Sequence, residues 1–135
     1  MRRLLLLLAA MAVLACGAAP SGTYHLTSIN GMELPANWPF RSHGTITVTS
    51  GSLTLTSDST FTSTVTTHEG DADPETETNS GTFTLDESNV IHFTPGPESD
   101  DDDPFEGTWD GDQITVTFDD IDDIDDIEVT LVFRR

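Results

Sequence analysis

Apolar and polar residues alternate along most of this chain, and threonine supplies most of the polar partners. Tyr24 and Leu26 sit between Thr23, His25 and Thr27, and Ile46 and Val48 sit between Thr45, Thr47 and Thr49. Leu53 and Leu55 flank Thr54, while Phe61 and Val65 lie among Thr60, Thr62, Thr64 and Thr66. Phe83 and Leu85 alternate with Thr82 and Thr84, and Ile91 and Phe93 flank His92. Ile114, Val116 and Phe118 alternate with Thr115 and Thr117, and Val129, Leu131 and Phe133 end the chain. A period of two in β-branched and aromatic residues marks strands buried on one face. No segment carries a helical period. The pattern predicts an all-β, antiparallel up-and-down meander, closed as a barrel or folded as a sandwich.

Three tight turns hold the apolar face in register. Ser57-Asp58-Ser59 leaves Leu55 and Phe61 on one face, Glu87-Ser88-Asn89 does the same for Leu85 and Ile91, and Gly111-Asp112 places Trp109 opposite Ile114. Each is built of residues suited to turns, and each preserves the parity that strand pairing demands. Parity breaks at Ser50-Gly51-Ser52, since Ile46 and Val48 are even-numbered while Leu53 and Leu55 are odd. A bulge at Gly51 inside one bent strand explains the break, and so does a Ser50-Gly51 hairpin. The bulge is preferred because it gives about eight strands, a number that closes a small barrel. The long connections 30–43, 68–79, 96–104 and 119–126 then share one end and carry 17 of the 24 acidic residues. The short turns and both termini share the other end.

Polar and apolar faces would be exchanged in an outer-membrane barrel. Such strands need about 9–11 residues and aromatic girdles. Most strands here are shorter and no girdle is visible, so the threonine face is expected in water.

The N-terminus has a different character. Arg2 and Arg3 precede an apolar run from Leu4 to Ala15, followed by Cys16, the one cysteine of the chain. The run is shorter than the roughly 20 residues of a membrane-spanning helix, and its layout is that of a secretory signal. Val13-Leu14-Ala15-Cys16 resembles the lipobox of bacterial lipoproteins, which implies lipid on Cys16 and cleavage before it. The expected organisation is a signal peptide over 1–15, a lipidated tether over 16–21 and one barrel domain over 22–135. The resemblance implies a place in the cell envelope. Gly17, in place of the aspartate that retains enteric lipoproteins at the inner membrane, points to the periplasmic side of the outer membrane.

Charge narrows the partners. The chain has no lysine, and beyond the signal only Arg41, Arg134 and Arg135 oppose its 24 acidic residues. Nucleic acid is excluded, because phosphate binding needs a positive surface. The membrane is expected as a partner through the lipid alone, since anionic headgroups repel such a surface.

Gly22-Thr23-Tyr24 is similar to the Gly-x-Trp that opens lipocalin barrels, with tyrosine in place of tryptophan. Phe133-Arg134 is similar to the segment whose arginine packs over that ring, a cation–π arrangement. Residues 28–35 also look like the first connection of small bacterial lipoproteins of this kind. The chain thus resembles a lipocalin-like domain over about residues 22–135. The resemblance implies a lipocalin-like barrel, often with an internal apolar ligand site. A small hydrophobic molecule is the expected ligand, with Tyr24, Trp38, Phe40 and Trp109 as the aromatic residues placed to meet it. Trp38, Pro39 and Phe40 either form a lid over the mouth or plug the end of the core.

Asp71, Asp73, Glu75 and Glu77 alternate along one connection and form a candidate calcium site, since calcium takes several oxygen ligands. The segment lacks the glycine and terminal glutamate of an EF-hand loop. The runs Asp100–Asp103 and Asp119–Asp126 read as solvated charge. His25, His43, His68 and His92 are scattered, with His25 and His92 on polar strand faces. There is no G-x-S-x-G elbow, and no carboxylate pair stands out as a general acid and base. No cofactor and no catalysis are expected. Two functions fit: an anchored carrier of a small apolar molecule, or an interaction module with a packed core whose acidic rim binds cations or basic proteins.

Overall fold

A strand of alternating threonine and apolar residues hides its apolar face only if the sheet curls onto itself, and this sheet does so completely. The computed structural model describes residues 20–38, 46–99, 103–122 and 125–135. The strands are β1 (Gly22–Ile29), β2 (Met32–Glu33), β3 (Ala36–Asn37), β4 (Ile46–Leu55), β5 (Thr60–Glu69), β6 (Glu75–Leu85), β7 (Val90–Pro95), β8 (Phe105–Asp110), β9 (Gln113–Asp122) and β10 (Asp125–Arg134). No helix occurs among the described residues. Neighbours pair antiparallel from β4 through β10, β10 pairs with β1, and β1 pairs with β4. The eight long strands therefore form a closed antiparallel barrel without a free sheet edge along its lower half.

The three tight turns lie where the sequence places them. Leu55 opposes Phe61, Leu85 opposes Ile91, and Trp109 opposes Ile114. Ser59 and Asn89 take positive φ values of 66° and 62° in equivalent positions of two turns. These turns, the start of β1 and Arg135 share one end. The ends of β1, β5, β7 and β9, with the connection 70–74, share the other.

Residues 46–55 form one strand, so the hairpin alternative is excluded. The bulge, however, is at Thr49 rather than Gly51, because the register jumps from Val48↔Thr67 to Ser50↔Thr66. Gly51 instead faces the interior, where an added Cβ would lie 3.0 Å from Leu26 Cβ and Cδ2. A second shift, between Leu26 and Ser28, turns the inward parity of β1 so that Leu26 and Ile29 are both buried.

Two acidic stretches are strand rather than loop. Residues 75–79 begin β6, which leaves 70–74 as the connection, and residues 119–122 and 125–126 belong to the β9–β10 ladder. Threonine separates the acidic residues of β6, and the full ladder with β5 holds them extended.

The barrel wall is uneven at the long-connection end. β1 and β4 diverge there, and β2 and β3 fill the gap, β2 pairing with β1 and β3 with β4. On the opposite side the wall is low. The β6–β7 ladder starts at Gly81, and the β8–β9 ladder stops at Val116. The upper parts of β6 and β9 thus rise above the β7–β8 hairpin. Gly96 N–H and Ser99 Oγ–H both donate to Ser80 O, at 2.8 and 2.9 Å, and fasten the start of the β7–β8 connection to β6.

Candidate functional site: the mouth of the barrel

The barrel interior has two parts. Its floor, toward the short turns, is filled. Tyr24, Leu53, Leu55, Phe61, Ile91, Phe93 and Ile114 are each at most 1% exposed. Phe93 stacks on Phe105 with centroids 4.6 Å apart, and Phe61 meets Phe93 edge-on at 5.1 Å. Such offset and edge contacts are the preferred aromatic geometries. A Cβ at Gly107 would come within 3.2 Å of Ile114 and Val116 and 3.3 Å of Phe93, so the space there is already used.

The floor is fastened by a residue the sequence comparison misplaced by one. Arg135, not Arg134, covers Tyr24, its guanidinium carbon 4.9 Å from the ring centroid. It also donates to Tyr24 Oη at 2.8 Å and to Ser21 O at 3.0 Å, while Tyr24 Oη–H donates to Pro20 O at 2.8 Å. Arg134 lies on the other face, where its Nε donates to Gln113 Oε1. Strand parity is the reason: Phe133 points in, Arg134 out, and Arg135 in again.

Toward the long connections the inward residues become partly exposed. Trp38 stacks on Phe118 at 6.4 Å, and both pack with Leu34, Val65 and Phe105 against the core. Trp38 N–H is held by Ile46 O at 2.7 Å, which fixes the residue at the end of β3. Below them, on the β5–β6 wall, the inward positions are Ser63, Val65, Thr67 and Asn79, all partly buried. Apolar ring faces beside hydroxyl and amide groups, open to solvent, make this the part of the barrel able to receive a small molecule.

The aromatic residues expected to share a ligand are therefore divided. Trp38 is at the mouth. Tyr24 is enclosed in the floor, and Trp109 lies at the short-turn end, its Nε1–H donating to Gly111 O at 2.9 Å. Those two hold structure together. Phe40 lies outside the described residues, as does Cys16 with the whole signal segment. Val65 and Phe118, which the sequence places on the apolar face but not among the expected ligand residues, belong to the mouth, and Phe105 joins them to the floor through its stack on Phe93.

Asp71 and Asp73 occupy the β5–β6 connection, while Glu75 and Glu77 stand on β6, and all four are exposed. Among the described residues, no three His, Cys, Asp or Glu side chains gather as a metal site. On an extended strand Glu75 and Glu77 are about 6.6 Å apart along one face, and Asp71 and Asp73 precede them on a turn.

On the outer wall, His92 is held between two carboxylates. Its Nε2 lies 3.0 Å from Asp86 Oδ2 and its Nδ1 3.1 Å from Glu106 Oε1. The hydrogen bond to Asp86, with the charge of Glu106, raises the imidazole pKa above its ordinary value. The same bond, with the Val90 N–H, lowers that of Asp86. The carboxylates approach opposite ring nitrogens, so the cluster is a strap across β7 and β8 rather than a point of convergence for a metal.

A closed eight-stranded up-and-down barrel, with its first strand locked to its last residue and an aromatic mouth at one end, defines a lipocalin-like domain. A family model described as "Lipocalin-like domain" matches residues 21–106, and the chain belongs to that family. No curated protein and no solved structure matches the chain.

Proposed function

We propose that this protein is a non-enzymatic binding lipoprotein of the bacterial envelope that holds a small hydrophobic molecule at the mouth of its barrel. The observation that carries the binding reading is the stacked, partly exposed Trp38–Phe118 pair above a filled aromatic floor. A floor without room confines a ligand to the upper part of the barrel, where apolar ring surface remains to be covered. Burial of that surface supplies affinity at roughly 25 cal/mol per Å². Membership in the lipocalin-like family supports the same reading.

The anchor rests on the sequence alone: Arg2 and Arg3, the apolar run and Cys16. Lipid on Cys16 would place the barrel on a membrane, on our reading the periplasmic face of the outer membrane. The tether enters at the short-turn end, and the mouth would point away from the bilayer.

Native mass spectrometry of the protein released gently from its membrane tests the binding role. Extra mass in the range of apolar metabolites, lost on denaturation, is expected. The polypeptide and its lipid alone would contradict a carrier. Cys16→Ala should release the protein from the membrane fraction, and retention there would contradict the anchor.

A further inference from the structure

The low β7–β8 wall leaves a strand edge open. In β6, Phe83 N–H donates to Ser59 O on the β5 side, and Ser80 O accepts Gly96 N–H on the β7 side. Odd-numbered residues of β6 thus turn their backbone groups toward β5 and even-numbered residues toward β7, as an antiparallel ladder requires. Thr84 and Thr82 meet His92 and Thr94 of β7, and the backbone of Ser80 is held by Gly96 N–H and Ser99 Oγ. Thr76 and Thr78 face the same way beyond the end of β7. Among the described residues nothing pairs with their N–H and C=O groups on that side, although their ladder with β5 runs on without a break. Both are exposed.

A row of unpaired backbone groups on a regular strand is a template for another strand. Such edges are commonly closed by a bulge, a proline or a covering loop. Residues 75–79 contain no bulge and no proline. They carry Glu75 and Glu77, which oppose Thr67 and Val65 and so share the inward face with Val65. These charges bar a second copy of the chain, whose own edge is equally acidic. The β9–β10 ladder brings Asp119, Asp120, Asp122, Asp125 and Asp126 to the same end, so other acidic segments are repelled as well. A basic segment meets neither obstacle.

We propose that β6 over residues 75–79 is the docking edge for an extended basic segment of a partner protein, added antiparallel as a further strand. Thr76 and Thr78 each exchange N–H···O bonds with the residue opposite. Glu75 and Glu77 occupy the closer, non-hydrogen-bonded positions, about 4.5 Å between Cα atoms, which places Lys or Arg at alternate positions of the partner. Five residues are about the length of an ordinary strand. The inference is independent of whether the mouth holds a small molecule.

The capped peptide Thr-Val-Lys-Thr-Lys sets its lysines against Glu77 and Glu75. It is titrated into the purified full chain and followed by amide NMR and hydrogen exchange, and protection of the Thr76 and Thr78 amides is expected. Methylating the backbone nitrogens of its valine and second threonine removes the two donors that face β6. Binding should weaken about tenfold, the scale of two hydrogen bonds. Thr78→Pro removes a donor that faces away from β5, where proline is tolerated, and should weaken the parent peptide similarly. The peptide with glutamate for both lysines should not bind. Equal binding of the methylated peptide, or undiminished binding to Thr78→Pro, would reduce the contact to charge attraction and overturn the added strand. Equal binding of the glutamate peptide would overturn the basic partner. Protection of the same amides by raised protein concentration alone would assign the edge to a second copy and overturn the proposal. No protection of Thr76 and Thr78 by the parent peptide would overturn the edge itself.

Discussion

The two ends of this barrel solve opposite problems with the same strands. At the short-turn end, Tyr24, Leu53, Leu55, Phe61, Ile91 and Ile114 fill inward positions and are each at most 1% exposed. At the long-connection end of β5 and β6, the inward positions become serine, threonine, asparagine and glutamate. The transition occurs within single strands: β5 passes from Phe61 through Ser63 and Val65 to Thr67 and Glu69 along one face. Alternation alone decides which face is inside. The chemistry of the inward residues then decides whether that stretch is buried core or partly exposed mouth.

Matched truncations sharpen this contrast. Phe93→Ala should have the largest effect, because it removes a fully buried ring that stacks on Phe105 and contacts Phe61. A loss of about 3–5 kcal/mol is expected from chemical denaturation. Phe118→Ala removes the same atoms at the mouth, where the ring is partly exposed and its aromatic partner is Trp38. About half that loss is expected, together with loss of ligand. Equal losses would mean that the mouth is as much core as the floor.

Arg135→Ala comes next. It removes donors to Ser21 O and Tyr24 Oη and the cation over the ring. A cost of about 1–2 kcal/mol follows, with ligand affinity at the mouth unchanged. A change in affinity would show that the two ends are coupled.

The smallest effect belongs to the outer strap. His92 has a raised pKa, so its contribution is complete below the ordinary imidazole value of 6.5 and fades as pH rises through the raised value. Asp86 has a lowered pKa, so its contribution is complete above the ordinary carboxylate value of 3.8 and fades as pH falls through the lowered value. The stability gap between the native protein and His92→Gln should therefore be widest between those two ordinary values and narrow on either side. A gap independent of pH would mean that His92 acts through packing alone.

Much of the floor was legible in the sequence. Period-two patterning with three well-marked turns fixes the strands, their pairing and the inward residues from Tyr24 to Phe133. The mouth was less so. Its acidic residues read as loop because alternating Thr and Glu in 75–78 has no apolar face, and only pairing with β5 makes it strand. The bulge at Thr49 was placed at Gly51 because glycine is the usual mark of irregular backbone; here glycine answers instead to the nearby Leu26 side chain. Trp38 was legible as an aromatic near the mouth. Its partner Phe118 was hidden because their contact crosses the barrel, and sequence spacing carries no such distance. The His92 strap was half legible: Asp86 opens the turn that precedes it, whereas Glu106 arrives only through the β7–β8 register.

The division between a filled floor and a receptive mouth is tested most directly by an amide NMR titration of the protein with 4-phenylbutan-1-ol, whose neutral head makes the result independent of charge. Shifts confined to the surroundings of Trp38, Val65, Thr67, Glu77 and Phe118 are the predicted result. Shifts centred on Tyr24, Ile91 and Phe133, or none at saturating alcohol, would contradict it.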